Sequence, residues 1–437
     1  MKKIIISALA LVLLSQMACQ TPEYLNPSTI SQSQAVSSPD GLITLCNGLQ
    51  YRYSTGGALS ILYNATAGAG LTTRELNVLN VGNIEEANLA TGGGNVNNGN
   101  GVVRNLWTQS QLVRANAELI LANTAVTDND PGTKSGIVGY AAIFKALSLG
   151  TLAQFFEQAP IATGNNAAFV PRVQVLQEAI RTLEAAAAQV ATAPVSANFM
   201  GKAVTGIDIP NTIQALIARY ALLAGDNDKA LAAAGKVVLT SKSVFNFDDL
   251  TRNPLFEASF GNLNVFQPAS ANLGLTGALT PDPADKRLAF LTKVSSNTAV
   301  SPVVASAYYT TNNAAVPVYV PGEMGLIRAE AYARKGDLAN AVVELNKVRT
   351  KTAAQDAFGL GAGLPAYAGG NTAEAILLDI YKNRLVELAF QGFRLEDSRR
   401  FNRPGPGAAG AERNRNFFPY PRTERDNNSS TPADPGV

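Results

Sequence analysis

The sequence has 437 residues, 46% of them hydrophobic and 16% charged, with 35 Lys and Arg against 33 Asp and Glu and no histidine. That length and apolar content suffice for a large buried core, while the near balance of charge excludes the basic surface that nucleic-acid binding requires. Without histidine no Ser/His/Asp or Cys/His relay can form and the commonest zinc and copper ligand is missing, so the expectation is a chain with no catalytic residues, metal or cofactor, not an enzyme.

Lys2 and Lys3 precede an apolar run from Ile4 to Leu14, followed by Ser15-Gln16-Met17-Ala18-Cys19. This is the layout of a secretory signal, and it is shorter than the about 20 apolar residues of a membrane span. Small Ala18 before Cys19 predicts cleavage between them and acylation of Cys19, with residues 1–18 a lipoprotein signal peptide and 19–38 a polar tether. Without Lys2 and Lys3 the remaining chain is formally neutral. If Cys19 carries lipid, the second cysteine, Cys46, has no intramolecular partner and no disulfide supports the fold. No Pro/Ser-rich linker or charge run divides residues 39–437, which are expected to form one domain with an N-terminal part to about residue 250 and a C-terminal part beyond it.

Thr72 to Arg104 contains the run Gly92-Gly-Gly-Asn-Val-Asn-Asn-Gly-Asn-Gly101, which can bury little and reads as a loop. Arg74, Asn77 and Asn80 in this segment are candidate ligand hydrogen-bonders. Glu85 and Glu86 are adjacent, so their side chains diverge and they read as solvated surface instead of a paired acid and base. Helical periodicity predicts helices over Asn105–Asn123, Ser135–Phe156, Val173–Ala191, Asn211–Ala224, Lys229–Leu239, Gly322–Lys335, Leu338–Thr350 and Thr372–Phe390. Trp107, at the start of the first, is assigned to the core.

Two of these helix pairs repeat one another. Ala218-Arg-Tyr-Ala-Leu-Leu-Ala-Gly225-Asp226 is followed by Lys229-Ala230, and Ala329-Glu-Ala-Tyr-Ala-Arg-Lys-Gly336-Asp337 by Asn340-Ala341. A glycine that stops one helix, with a small alanine five residues on where the next packs closely, is the tetratricopeptide-type hairpin. Between the pairs, Thr251 to Pro321 is rich in Asn, Pro and Thr with scattered rings, and long irregular segments of this kind tend to carry function. Phe266, Tyr308 and Tyr309, with Phe256 and Phe260 behind them, are the candidate platform for a ligand.

The C-terminal segment is the most informative. Ile376, Leu377, Ile380, Tyr381, Leu385, Leu388 and Ala389 fall at helical spacing, Gly392 stands where that helix should stop, and Arg394, Asp397, Arg399 and Arg400 crowd against Phe393, Leu395 and Phe401. Charge so closely mixed with rings predicts a structural ionic knot of Arg384, Glu387, Arg394, Asp397 and Arg400. Gly405-Pro-Gly407-Ala-Ala-Gly410 fits a nucleotide-loop spacing, but it follows Arg403-Pro404 instead of a strand and is read as a plain loop.

The order Arg384, Glu387-Leu388, Phe390, Gly392, Arg394, Asp397, Arg400 resembles the C-terminal signature of SusD/RagB-type outer-membrane lipoproteins. Asn383 and Gln391 stand where that family usually has glutamates, and Ser398 where it usually has leucine. Trp107, Ala115-Asn116, Tyr140 to Pro160, Val170-Pro171-Arg172 and the closing Phe418-Pro-Tyr-Pro-Arg-Thr-Glu424 are similar to further family segments in the same order. The resemblance implies a mainly α SusD-like helical bundle built on tetratricopeptide-type hairpins with long irregular insertions. It also implies a lipid-anchored protein at the outer-membrane surface that captures a nutrient, an oligosaccharide among the candidates, and passes it to a SusC-like TonB-dependent transporter. The alternative is a periplasm-facing helical-repeat scaffold for envelope assembly, which would need an uninterrupted repeat stack.

Overall fold

The computed structural model describes residues 31–436. The expected signal peptide, Cys19 and most of the expected tether lie outside them. The helices are α1 (Gln32–Ala35), α2 (Pro39–Ser54), α3 (Ile61–Thr72), α4 (Ile84–Thr91), α5 (Gly101–Ala122) and α6 (Pro131–Phe155). After these come α7 (Arg172–Thr192), α8 (Ala197–Lys202), α9 (Ile209–Ala224), α10 (Asn227–Ala234) and α11 (Lys286–Leu291). The chain closes with α12 (Pro321–Arg334), α13 (Leu338–Arg349), α14 (Ala373–Glu387), α15 (Arg394–Arg400) and α16 (Arg422–Asn427). The fold is mainly helical. All eight predicted helices form, with ends displaced by up to a few residues, several of them to a capping side chain. Asn100 caps α5, accepting from Val103 N–H, Asp130 and Pro131 start α6, and Asp208 starts α9.

Helix α6 is long and apolar enough to cross a membrane, but most of its length is buried between α5, α7 and α9, so it is the central core helix. Neighbours approach it closely at glycines: a Cβ on Gly136 would overlap the Phe199 ring, and one on Gly150 the ring of Tyr220, itself 1% exposed. Gly150→Ala should therefore lose about 1–3 kcal/mol through overpacking, read as a lower midpoint in chemical denaturation. An unchanged midpoint would show that Tyr220 has room to move.

Both predicted hairpins form. Gly225 and Gly336 sit at φ 86° and 82°, and Asp226 and Asp337 immediately cap the next helices by accepting from Lys229 N–H and Asn340 N–H. Ala230 and Ala341 are fully buried. Helix α10 packs on α12, which stacks one hairpin on the other. Arg219 of α9 reaches across to Glu323 of α12 with two bonds of 2.6 and 2.7 Å and also donates to Val318 O. A smaller apolar core, including Leu326, Leu345, Ile376 and Ile380, is enclosed by α12, α13 and α14.

The long insertion is a packed structure, not a loose one. Strand β1 (Leu76–Val78) pairs antiparallel with β5 (Phe266–Pro268), Asn77 facing Gln267. Strands β2 (Gln158–Pro160) and β3 (Phe169–Pro171), β4 (Val244–Phe245) and β8 (Val316–Pro317), and β6 (Thr292–Val294) and β7 (Val303–Ala305) form three further two-stranded ladders. The scattered rings pin this segment to the body, since Phe260, Phe266 and Tyr309 are all buried. Two assignments change. The polar stretch 72–104 contains helix α4 and strand β1 besides its glycine-rich turn. Glu85 is on the surface as expected and accepts from Gly101 N–H at 2.7 Å, whereas Glu86, read as solvated, is half-buried and accepts from the Tyr63 hydroxyl at 2.7 Å.

Candidate functional site

An open cleft of about 810 Å³ lies where the 72–104 segment, the insertion and the C-terminal loop meet. Its floor comes from Leu71 and Thr73 at the end of α3, and its walls from Arg74 to Asn77, from residues 269–279, and from residues 403–412. Helix α3 stops at Thr72 and the chain turns through Arg74 at φ 58°. Glu75 N–H returns to Gly70 O, and Ala269 N–H donates to Glu75 O at 3.0 Å, which fastens the insertion to this turn. The wall at 270–275 is a tight loop in which Leu273 and Gly274 have φ 57° and 70° and Ser270 Oγ accepts from Gly274 N–H. A Cβ at Gly274 would land on the carbonyl oxygen of Arg74, so only glycine lets the two walls come this close.

Charge sets the character of the cleft. Arg74 is exposed and one end of its guanidinium donates to Ala411 O. Arg394 donates from Nη1 to Leu273 O at 2.6 Å. Arg403 donates to Glu412 at 2.7 Å, and the other oxygen of Glu412 accepts from Tyr381. Beneath them Glu75, 2% exposed, accepts from Phe390 N–H. Burial pushes its pKa up, and Arg394 and that hydrogen bond only partly oppose the rise. Among the described residues, no group of three or more acidic or cysteine side chains is placed to hold a metal ion.

The structure brings Arg74 and Asn77 together in this cleft and separates the other candidate ligand-binders from it. Asn80 lies outside, its amide nitrogen bonded to Asn264 and its oxygen accepting from Gly82 N–H. Phe266 is fully buried between Tyr63 and Phe260, both ring centroids 5.4 Å away. Tyr309, 1% exposed, packs on Phe260, and Tyr308, 7% exposed, packs on Phe290 and Phe358. These rings form the inner core of the insertion and offer no face to a ligand. The irregularity of the sequence hid that packing. Tyr51 is the single aromatic residue classed as exposed among the described residues, and it does not line the cleft. Arg403 and Glu412, which line it, carry no sequence signal beyond being charged in a Gly/Pro-rich loop.

The charge cluster is buried and paired. Arg384 donates from Nε and Nη2 to both oxygens of Asp397 at 2.9 Å, and Arg400 bridges Asp397 and Glu330. Glu387 accepts from Arg287 at 2.8 Å and Lys351 at 2.9 Å. Arg394 belongs to the cleft wall instead of pairing with Asp397.

Residues 271–434 match the model of the SusD family. A solved SusD superfamily protein from Bacteroides fragilis shares the fold at a TM-score of 0.66, with 17% identity over 90% of this chain and 98% of that one. The chain thus has the SusD fold, and its C-terminal part carries the match to the SusD family. A SusD-like carbohydrate binding protein from Bacteroides vulgatus is similar at TM-score 0.67 and 15% identity, covering 84% of each chain. A laminarin binding SusD-like protein is similar at TM-score 0.65 and 14% identity, covering 91% of this chain and 99% of that one. No curated protein sequence matches. In the SusD signature of this chain, the unusual polar residues at 383 and 398 are in use. Asn383 accepts from Arg287 and donates to Asp379, and Ser398 accepts from Arg413. Gln391 leaves its buried amide nitrogen without a partner.

Proposed function

We propose that this SusD-family chain is a lipid-anchored outer-membrane protein that captures an oligosaccharide at the cell surface and passes it to a TonB-dependent transporter. It binds and releases without cleaving. The observation that carries this reading is the open polar cleft at the junction of the two long irregular segments and the SusD-type C-terminal signature. Solved proteins of the same fold that are described as carbohydrate binding and laminarin binding support a glycan. Non-catalytic action is supported by the absence of histidine from the sequence and by the structural engagement of Glu85 and Glu86. The hairpins α9–α10 and α12–α13 stack on one another although residues 235–320 separate them in sequence, and it is the long insertion lining the cleft that favours a binder over a scaffold. An open cleft without a stacking ring implies Kd values from micromolar to millimolar, about 4–8 kcal/mol, suited to a protein that must release its cargo.

Two measurements test this. Titration calorimetry of the soluble chain from residue 20 against a panel of oligosaccharides and peptides should give saturable binding to glycans only. Cys19→Ala in whole cells should shift the protein from the membrane to the soluble fraction or leave uncleaved precursor, and should lose palmitate labelling. Retained labelling would remove the anchor from the proposal.

A further inference from the structure

Resting on the reading of the cleft as the glycan site, we infer that its ligand is an acidic saccharide, held through a carboxylate or sulfate on the sugar by Arg74 and Arg394. The lining contains three guanidinium groups, those of Arg74, Arg394 and Arg403, against the single carboxylate of Glu412, in a chain whose charges otherwise nearly cancel. Arg403 and Glu412 neutralise each other at 2.7 Å. Arg74 and Arg394 are different: among the described residues neither has a carboxylate oxygen within 4.0 Å. Each is held by one main-chain carbonyl, Ala411 O and Leu273 O respectively. A guanidinium has five N–H donors in a planar fork, so each carbonyl fixes the group in place and leaves most of its donors unused, and Arg394 feels Glu75 and Glu412 only from beyond ion-pair distance.

A main-chain carbonyl is a neutral partner, and a partly buried guanidinium satisfied only by neutral acceptors is stabilised further by an oxyanion, which accepts two parallel bonds from the fork. Glu75 does not fill that role. Its carboxylate lies beneath Arg394, beyond ion-pair distance, and is committed to Phe390 N–H. The walls that carry the two arginines are also tied to each other through Ala269 N–H and Glu75 O, so the positive groups are fixed relative to one another before any ligand arrives.

The remainder of the lining points the same way. No aromatic residue lines the cleft among the described residues; its apolar part is aliphatic, Leu71, Leu76, Leu275 and Leu279. A neutral sugar gains most of its affinity from stacking a pyranose face on a ring, which is the kind of contact this cleft lacks. Affinity and selectivity therefore fall to charge-assisted hydrogen bonds, with Asn77 beside them to bond a hydroxyl. A carboxylate on a sugar and a sulfate ester present the same oxyanion chemistry and differ in geometry, so the experiment separates them.

The chain from residue 20 is titrated by calorimetry at low and at 0.3 M salt against neutral β-glucan oligosaccharides, polyuronate oligosaccharides and sulfated galactan oligosaccharides. The expected result is that one acidic class binds at least tenfold more tightly than the neutral one and that added salt reduces this preference. Arg74→Gln, a change at an exposed side chain, should lose at least fivefold for the acidic ligand, a larger loss than for the neutral one, while Arg74→Lys restores part of it. Equal affinity for neutral and acidic glycans, or an Arg74→Gln variant that binds the acidic ligand at full strength, overturns the inference and leaves the glycan-binding reading standing. Absence of binding to every saccharide overturns both.

Discussion

Asp397→Ala should lower the stability of the folded chain by about 3–5 kcal/mol, the cost of breaking a buried ion pair from one side. Asp397 is 1% exposed and takes two bonds from Arg384, itself 3% exposed, as well as one from Arg400. The alanine strands the guanidinium of Arg384 in the interior. Removing both partners should cost far less than the single change. Arg384→Met with Asp397→Leu leaves no buried charge at that pair, since Arg400 retains Glu330. Guanidinium denaturation of the three proteins gives the comparison, and a double variant as unstable as Asp397→Ala would show that the pair was not the source of the loss.

The same group sets part of the acid response. Burial alone would raise the Asp397 pKa, but Arg384 and Arg400 outweigh it and hold it below its ordinary value, as Lys351 and Arg287 do for Glu387. A carboxyl whose folded pKa is depressed contributes stability that is present above its unfolded value, about 4, and is lost as pH falls through the folded one. Glu75, pushed upward, has the opposite sign. The stability gap between the wild-type chain and Asp397→Ala should therefore narrow as pH is taken from 6 toward 3, and a constant gap would mean that Asp397 titrates in the folded chain as it does in the unfolded one.

Helices were legible where periodicity, a cap and a stop agreed. The pairs Gly225-Asp226 and Gly336-Asp337 are both stop and cap, so two residues located each hairpin, and Ala230 and Ala341 marked the close approach. Helix α3 was not legible because it is buried on all sides. Gly68, Gly70, Ala67 and Ala69 give it no polar face, and with no face there is no period to detect. The charge knot could be located by its crowding but not paired by it, since Arg384–Asp397 joins α14 to α15, and Arg287–Glu387 spans 100 residues of sequence. The cleft was legible as two segments, not as residues. Rings in an irregular stretch looked available, yet an irregular stretch that leaves solvent must bury its rings, and Phe266, Tyr308 and Tyr309 are what it buries. Arg403 and Glu412 could be found only once the C-terminal loop was folded back against Arg74.

Gly274→Ala should open the cleft wall and reduce oligosaccharide affinity at least tenfold while the helical circular dichroism stays unchanged. Two costs combine at this position. A φ of 70° disfavours any residue with a Cβ by about 1–2 kcal/mol, and the new methyl would occupy the place of the Arg74 carbonyl oxygen and press on Ala269. The loop must move away from the Arg74 turn, and Leu273, whose carbonyl anchors Arg394, moves with it. Gly277→Ala provides the control in the same loop. Its φ is 59°, but nothing lies within 4 Å of a Cβ there, so it bears the backbone cost without the collision. The difference between the two variants isolates the close approach of the walls. If Gly277→Ala weakens binding as much as Gly274→Ala, the loss reflects loop strain alone, and the contact between Gly274 and Arg74 does not shape the site.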